Sequence, residues 1–241
     1  MNEKRKHFKI IGCALLLIGI PLAGYIGLHL CWWLAWHPSE KEQIRMENKA
    51  TDDAIQHARK TGYLQLYRPL FFGSEEFYKR TMFEKIHGLS GVKYLYCNGY
   101  LRVFIPAQSV ADVASMPDLD EIVFHNVYFE KGALLEMRGM AKLKSLHFWG
   151  CEVDGDDLKY LAGLEELRVL KIHWPFPNAK ANDYLHQMPP EEQKKTVESL
   201  CRLTQLEKLV LEDSFQSDSE ILKQHLPNTT ITFESIGYDI P

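Results

Sequence analysis

Apolar residues recur through the middle of the chain with a period of about 24 residues, a length typical of stacked repeats. The period is marked by Leu119, Leu143 and Leu167. Two units are complete, and in both of them apolar residues occupy the same seven positions counted from the first leucine. The first unit has Leu119, Ile122, Phe124, Val127, Phe129, Leu134 and Met137, and the second has Leu143, Leu146, Phe148, Cys151, Val153, Leu158 and Leu161. Alternation early in each unit predicts a short strand with one buried face, and the later pair at three-residue spacing predicts a short helix behind it.

Further units extend the pattern towards the C-terminus. A third begins Leu167, Leu170, Ile172, and a fourth contains Leu206, Leu209, Leu211 and the apolar pair Ile221 and Leu222. Leu206 follows Leu167 at a distance of more than one and a half periods. An insertion is therefore predicted between these two units, near residues 174–194. Residues 231–233 predict a closing strand, and residues 89–115 predict one or two irregular strands before the first complete unit. The insertion could wall one edge of the repeat surface or be a tolerated excursion.

The motif L-x-x-L-x-L, as in Leu143–Phe148 and Leu206–Leu211, resembles the leucine-rich-repeat family. The resemblance implies an α/β fold over residues 89–241: a short solenoid with parallel strands on its concave face and helices or turns behind. It is closer to compact bacterial repeats than to long receptor ectodomains, because Val127 and Cys151 stand where the family usually has a turn asparagine. One unit cannot bury its own apolar face, so the units must stack.

Strand residues that point away from the core should form the binding face that such repeats often use. The register predicts a partner-binding cluster in neighbouring strands, made of His125, His147, Trp149, Lys171, His173 and Glu212. Three interpretations stay open. The cluster could be a mixed polar surface, a patch that binds a protein or peptide with Trp149 as its anchor, or a metal site of histidine nitrogens and Glu212.

An apolar segment near the N-terminus predicts a membrane anchor. Residues 10–36 contain no Asp, Glu, Lys or Arg, and as a helix they would span about 40 Å, more than a hydrocarbon core needs. The basic tail at residues 1–9 favours a cytoplasmic N-terminus, a single pass and an extracytoplasmic repeat domain. Gly19, Ala23 and Gly27 share one face of this helix, a spacing that lets two membrane helices pack as a homodimer.

Residues 37–88 predict a helical linker and an N-terminal cap for the repeats. The charged stretch to Thr61 predicts one helix that stops at Gly62, and Glu75–His87 predicts a second that stops at Gly88. The aromatic stretch Tyr63–Phe72 is interpreted as a plug for the open end of the repeats, with a partner-binding surface as the alternative.

Composition and motifs narrow the function further. The net charge is −4, which gives no reason to expect nucleic-acid binding. The five widely spaced cysteines fit neither a disulfide framework nor a zinc motif, and Cys151 is predicted to lie in the core. The sequence contains no GxSxG, HExxH, P-loop or GxGxxG motif. We therefore expect no enzyme, no cofactor and no metal. We expect either a membrane-anchored interaction module or a structural component recruited to a membrane complex through its transmembrane helix.

Overall fold

The computed structural model describes residues 40–67, 81–173 and 189–235. The chain divides into two units, residues 1–45 and 46–241, and the boundary falls within the first described helix. The predicted membrane anchor, including Gly19, Ala23 and Gly27, lies outside the described residues. Within the described residues, no helix combines the length and the apolar character needed to cross a membrane.

The fold is α/β, with one parallel sheet whose described strands follow each other in chain order. The strands are β1 (Tyr63–Tyr67), β2 (Tyr94–Ile105), β3 (Glu121–Phe129), β4 (Ser145–Trp149), β5 (Val169–His173), β6 (Lys208–Glu212) and β7 (Thr230–Glu234). Each strand pairs in parallel with the next, so every connection must cross over one side of the sheet.

Short helices occupy most of these connections. The α-helices are α1 (Glu40–Thr61), α2 (Thr81–Glu84), α3 (Ala107–Ala114), α4 (Pro190–Leu200) and α5 (Ser219–His225), and the 3-10 helices are η1 (Ala133–Gly139), η2 (Gly155–Gly163) and η3 (Asp213–Asp218). Helix α1 ends before Gly62 (φ 74°), and the turn after α2 reaches Gly88 (φ 65°). The first predicted stop is therefore confirmed, because glycine adopts such an angle without strain. The second predicted helix ends earlier than expected, at Glu84, and residues 85–88 form a turn. The part of the second predicted helix before Thr81 lies outside the described residues.

The core lies between the sheet and these helices. All fourteen apolar residues of the two complete units are buried, from Leu119 to Leu161, which confirms the predicted register. Strand positions such as Phe124 and helix positions such as Leu134 belong to the same buried core cluster. In the fourth unit the prediction was wrong at one position: Leu222 is buried, but Ile221 is 47% exposed.

A further unit precedes the four found in the sequence. Its buried residues are Val92, Leu95, Cys97, Val103, Ile105, Val110 and Val113. Strand β2 advances five positions from Asn98 to Val103, while its partner β3 advances only two, from His125 to Val127. A bulge therefore inserts three extra positions into β2. Once these three are subtracted, all seven offsets match those of the complete units.

The sheet also begins earlier than expected. Strand β1 lies inside the range predicted as helical linker and cap, and it pairs with β2 from Tyr63 to Tyr67. Leu64 and Leu66 face the core, and the ring of Tyr63 stacks on that of Tyr94 at 4.6 Å between centroids. The interpretation of this stretch as an aromatic plug is thus corrected for residues 63–67, whose alternation is that of a strand.

The turns after the strands bring backbone segments close together. Asn126 (φ 54°) and Gly150 (φ 64°) occupy equivalent positions in successive units, both in the left-handed region. A Cβ atom at Gly150 would collide with the Asn126 side chain. Helix α4 begins at Pro190, so the last residues of the predicted 174–194 insertion belong to a regular element, and residues 174–188 lie outside the described residues.

Candidate functional site

The face of the sheet opposite the helices carries the side chains that the sequence assigned to a binding surface. We call it the front face, and it consists of the outward residues of β1 to β7. Its rungs follow the predicted register: Glu121, Ser145, Val169 and Lys208 are paired in one rung, Val123, His147, Lys171 and Val210 in the next, and His125, Trp149 and His173 in the third. The predicted proximity of these residues is therefore confirmed.

A chain of contacts crosses the front face from β2 to β7. We call it the His–Trp row, and it consists of Tyr96, His125, Trp149, His173 and Glu234. The Tyr96 Oη atom lies 3.1 Å from His125 Nδ1, and the His125 ring stands perpendicular to the Trp149 indole with centroids 6.3 Å apart. The indole lies 4.9 Å from the His173 ring, whose Nε2 atom is 3.3 Å from Glu234 Oε2. His125, Trp149 and His173 thus each contact a member of the row on both sides.

Exposure within this row is uneven. The Trp149 side chain is 48% exposed, which fits its predicted role as an anchor, whereas His173 is only 5% exposed. The expectation that His173 is available to a partner is therefore wrong. Its ring lies against the indole on one side and reaches over β6 to Glu234 on the other. We assign His173 the role of supporting the indole.

His147 lies beside this row and is also largely covered. Its Nε2 atom is 2.9 Å from Ser145 Oγ and 4.0 Å from Glu121 Oε1. Burial, with smaller contributions from Lys171, His173 and Lys208, lowers the pKa of His147 to about 4. The ring is therefore neutral at physiological pH, and its contact with Glu121 is not an ion pair. Because Ser145 and Glu121 approach the same nitrogen, the three groups do not form the relay that activates a serine nucleophile.

Glu212 closes the C-terminal side of the predicted cluster. Burial, and to a lesser extent the charge of Asp213, raises the pKa of Glu212 to about 7. Its Oε2 atom is buried and has no hydrogen-bond partner among the described residues. Glu234 lies directly beside it in β7. Lys171, the remaining member of the cluster, lies opposite His147 in β4 and Val210 in β6.

Potential metal ligands and thiols do not converge in the described part of the chain. No three His, Cys, Asp or Glu side chains there form a group that could hold a metal ion. Cys97 and Cys151 are buried, and burial raises the pKa of each thiol to about 12. Cys151 donates from Sγ to the Phe124 carbonyl at 3.2 Å, so its predicted core position is confirmed. These two cysteines are protonated at neutral pH and therefore unreactive.

Two tyrosines of the front face, Tyr94 and Tyr96, were missed by the sequence interpretation. Together with Tyr63 they point outward from β1 and β2, and Tyr63 and Tyr94 extend the surface next to Tyr96 of the His–Trp row. Burial, and to a smaller extent the neighbouring Tyr63, raises the pKa of Tyr94 to about 12. The signal was present in the sequence, because tyrosines alternate with Leu64, Leu66, Leu95 and Cys97 in the manner of a half-buried strand.

No protein-family model matches the chain, and no curated protein is significantly similar to it.

Proposed function

We propose that this chain is a membrane-anchored leucine-rich-repeat protein that binds a protein or peptide partner through its front face. The proposal assigns no catalytic role and no cofactor to the domain. It places a single membrane pass at residues 10–36, with the N-terminus in the cytoplasm and the repeats on the other side. The exposed indole of Trp149, held between two histidines, is the observation that carries the binding role.

The repeat assignment is supported by the agreement between sequence period and sheet register. Each strand neighbours the strand of the preceding unit, and the buried residues recur at the same offsets from one unit to the next. Leucine-rich repeats stack in this way and present their strands on a concave face that commonly binds partners.

The binding role is supported by the environment of Trp149. Tryptophan is enriched among residues that dominate interface energy, above all where neighbouring groups hold the indole and exclude water. Here the indole has 48% of its surface exposed and is flanked by His125 and His173. Tyr96 extends the same surface with an aromatic body and a polar tip, a combination common at interfaces.

A crosslinking pulldown from membranes tests this role with a matched pair of variants. Trp149→Ala should abolish capture of specific partners by the full-length chain. Ile221→Ala should leave capture unchanged, because Ile221 is equally exposed at 47% but lies in α5. We expect Trp149→Ala to weaken binding by about 2 kcal/mol or more, the usual loss at an interface hot spot. Equal capture by both variants would contradict the proposal, provided that both retain the circular dichroism spectrum of the parent chain.

The alternative role is that of a structural component recruited through its transmembrane helix, with the repeats as a spacer. The small residues Gly19, Ala23 and Gly27 favour it, because they allow close helix packing. The same pulldown separates the two roles. Loss of capture in Ala23→Leu, with normal capture in Trp149→Ala, would favour the structural role.

A further inference from the structure

The last strand leaves the core incompletely covered. In β6 the core-facing residues Leu209 and Leu211 are fully buried, and the equivalent residues of β3, β4 and β5 are buried as well. In β7 the equivalent residues Ile231 and Phe233 are only partly buried, although both pack against the core. The apolar layer therefore continues to the C-terminal edge of the sheet and stays open there.

The backbone of β7 is open along the same edge. The Thr230 N–H donates to the Glu207 carbonyl of the neighbouring chain segment. This bond fixes the pairing, so the N–H and C=O groups of Thr230, Thr232 and Glu234 point towards β6. The N–H and C=O groups of Ile231 and Phe233 therefore point away from the sheet. Among the described residues, none pairs with this outer edge of β7. An open edge beside partly buried apolar residues is a template for another strand.

We propose that β7 pairs with β7 of a second copy of this chain, antiparallel and symmetric about Thr232. In this register Ile231 of one copy lies opposite Phe233 of its partner, and the outward N–H and C=O groups of both residues form two hydrogen-bonded pairs. The interface is isologous, as expected of a twofold dimer. The pairing edge is the outer edge of β7; it shares Glu234 with the His–Trp row but does not depend on partner binding at Trp149.

Side chains on both sides of the strand favour a second copy as the occupant. On the core side, two Ile–Phe pairs would cover the open apolar layer, and pairs of aromatic and β-branched residues stabilise antiparallel strands. On the front face, Thr232 meets its own symmetry mate. Pairs of threonines that lie directly opposite each other stabilise antiparallel strands.

The charges of the edge are also self-complementary. The register places Glu234 opposite Thr230 of the partner, so the two glutamates do not face each other. Lys208 lies next to Thr230 within each copy, is exposed, and forms no ion pair within the described part of the chain. Glu234, whose side chain is 53% exposed, would thus approach Lys208 of the other copy on both sides of the twofold axis.

Cysteine crosslinking of the full-length chain in a mild detergent tests the register. In Thr232→Cys the two new cysteines would lie about 4.5 Å apart between Cα atoms, within the range for a disulfide. In the matched control Thr230→Cys they would be roughly 14 Å apart, because four residues at about 3.4 Å each separate them along the strands. We expect mild oxidation to convert Thr232→Cys to a covalent dimer and to leave Thr230→Cys as monomeric as the parent chain.

A second variant separates loss of pairing from loss of folding. Ile231→Pro in the Thr232→Cys background removes an outward N–H that the pairing of β7 with β6 does not use, so the fold should persist while the covalent dimer is lost. Mixing Thr230→Cys with Glu234→Cys should give a crosslinked heterodimer. Equal crosslinking of Thr232→Cys and Thr230→Cys, an unchanged yield in the proline variant, or adducts with other proteins in place of the dimer would overturn the proposal.

Discussion

Two ionisable side chains of the front face, His147 and Glu212, have pKa values shifted in the direction that favours their neutral forms. Burial is the main cause for each, since it disfavours the charged state, lowering the pKa of His147 to about 4 and raising the pKa of Glu212 to about 7. In the unfolded chain the corresponding values are about 6.5 and 4.3. The two groups therefore affect folding stability in opposite directions over the same pH range.

The sign for each group follows from proton linkage. Between about pH 6.5 and 4, the unfolded chain binds a proton at His147 that the folded chain does not, so the free energy of unfolding falls as the pH falls. Between about pH 4.3 and 7, the folded chain holds a proton at Glu212 that the unfolded chain has lost, so stability falls as the pH rises. In the parent chain these two opposite dependences of the free energy of unfolding on pH partly cancel.

We predict that the variants Glu212→Gln and His147→Gln each remove one of these two pH dependences, so that the other can be measured alone. Glu212→Gln should raise the free energy of unfolding at pH 8 by about 1 kcal/mol, a value reduced for the partial exposure of the carboxylate. It should also steepen the loss of stability below pH 6.5, whereas His147→Gln should flatten that loss. Urea unfolding at pH 4.5, 6.5 and 8 measures both effects. Glu165→Gln, in an exposed turn, is the control, and identical pH profiles for all three variants would contradict the assignment.

At the scale of elements, the sequence predicted the strands whose units follow the repeat period without interruption. In β3 and β4 the buried positions, the outward positions and the pairing register all followed from that period. The closing strand predicted at residues 231–233 is also present, as β7, but the N-terminal end of the sheet did not follow from the period. The bulge in β2 adds three positions between Asn98 and Val103, which hides an otherwise matching unit. Strand β1 was missed because it opens an aromatic stretch with Tyr63, which made a half-buried strand look like an aromatic plug.

The candidate site was predictable in position but not in exposure. Alternation and register placed His125, Trp149 and His173 side by side, because strand pairing depends only on the repeat period. The burial of His173 depends on how the Trp149 indole packs and on Glu234, which is 61 residues away in the chain. No local pattern encodes such a contact. The same holds for the raised pKa of Glu212, which results from tertiary burial.

The unit boundaries make a deletion prediction. Removing residues 143–166, one full period, should bring β5 beside β3 with Leu170 opposite Ile122, and the shortened chain should still unfold in one cooperative transition at a lower midpoint. Removing residues 143–154, half a period, eliminates β4 but retains η2, so the register is lost. We expect that shorter deletion to abolish cooperative unfolding, measured by circular dichroism. A cooperative transition for the half-period deletion, or none for the full period, would show that the units are not interchangeable.

At the scale of the whole molecule, the proposed anchor and orientation make a further prediction. Deletion of residues 1–39 should transfer the protein from the membrane fraction to the soluble fraction, because no other apolar segment of that length remains. In intact cells, added protease should digest the repeat domain of the full-length chain and spare an N-terminal tag. Protection of the repeat domain until the membrane is permeabilised would reverse the proposed orientation, and soluble full-length protein would exclude the anchor.

The order of the sheet has a consequence for synthesis. Every described strand pairs with the strand that precedes it in the chain, and carbonyl groups at the strand starts, such as those of Lys93, Asp120 and Lys144, accept the first N–H groups of the next unit. No strand in the described part of the chain waits for a partner made much later. The polypeptide can therefore fold vectorially as it emerges, adding each unit to the one already formed, and the last edge to form is β7.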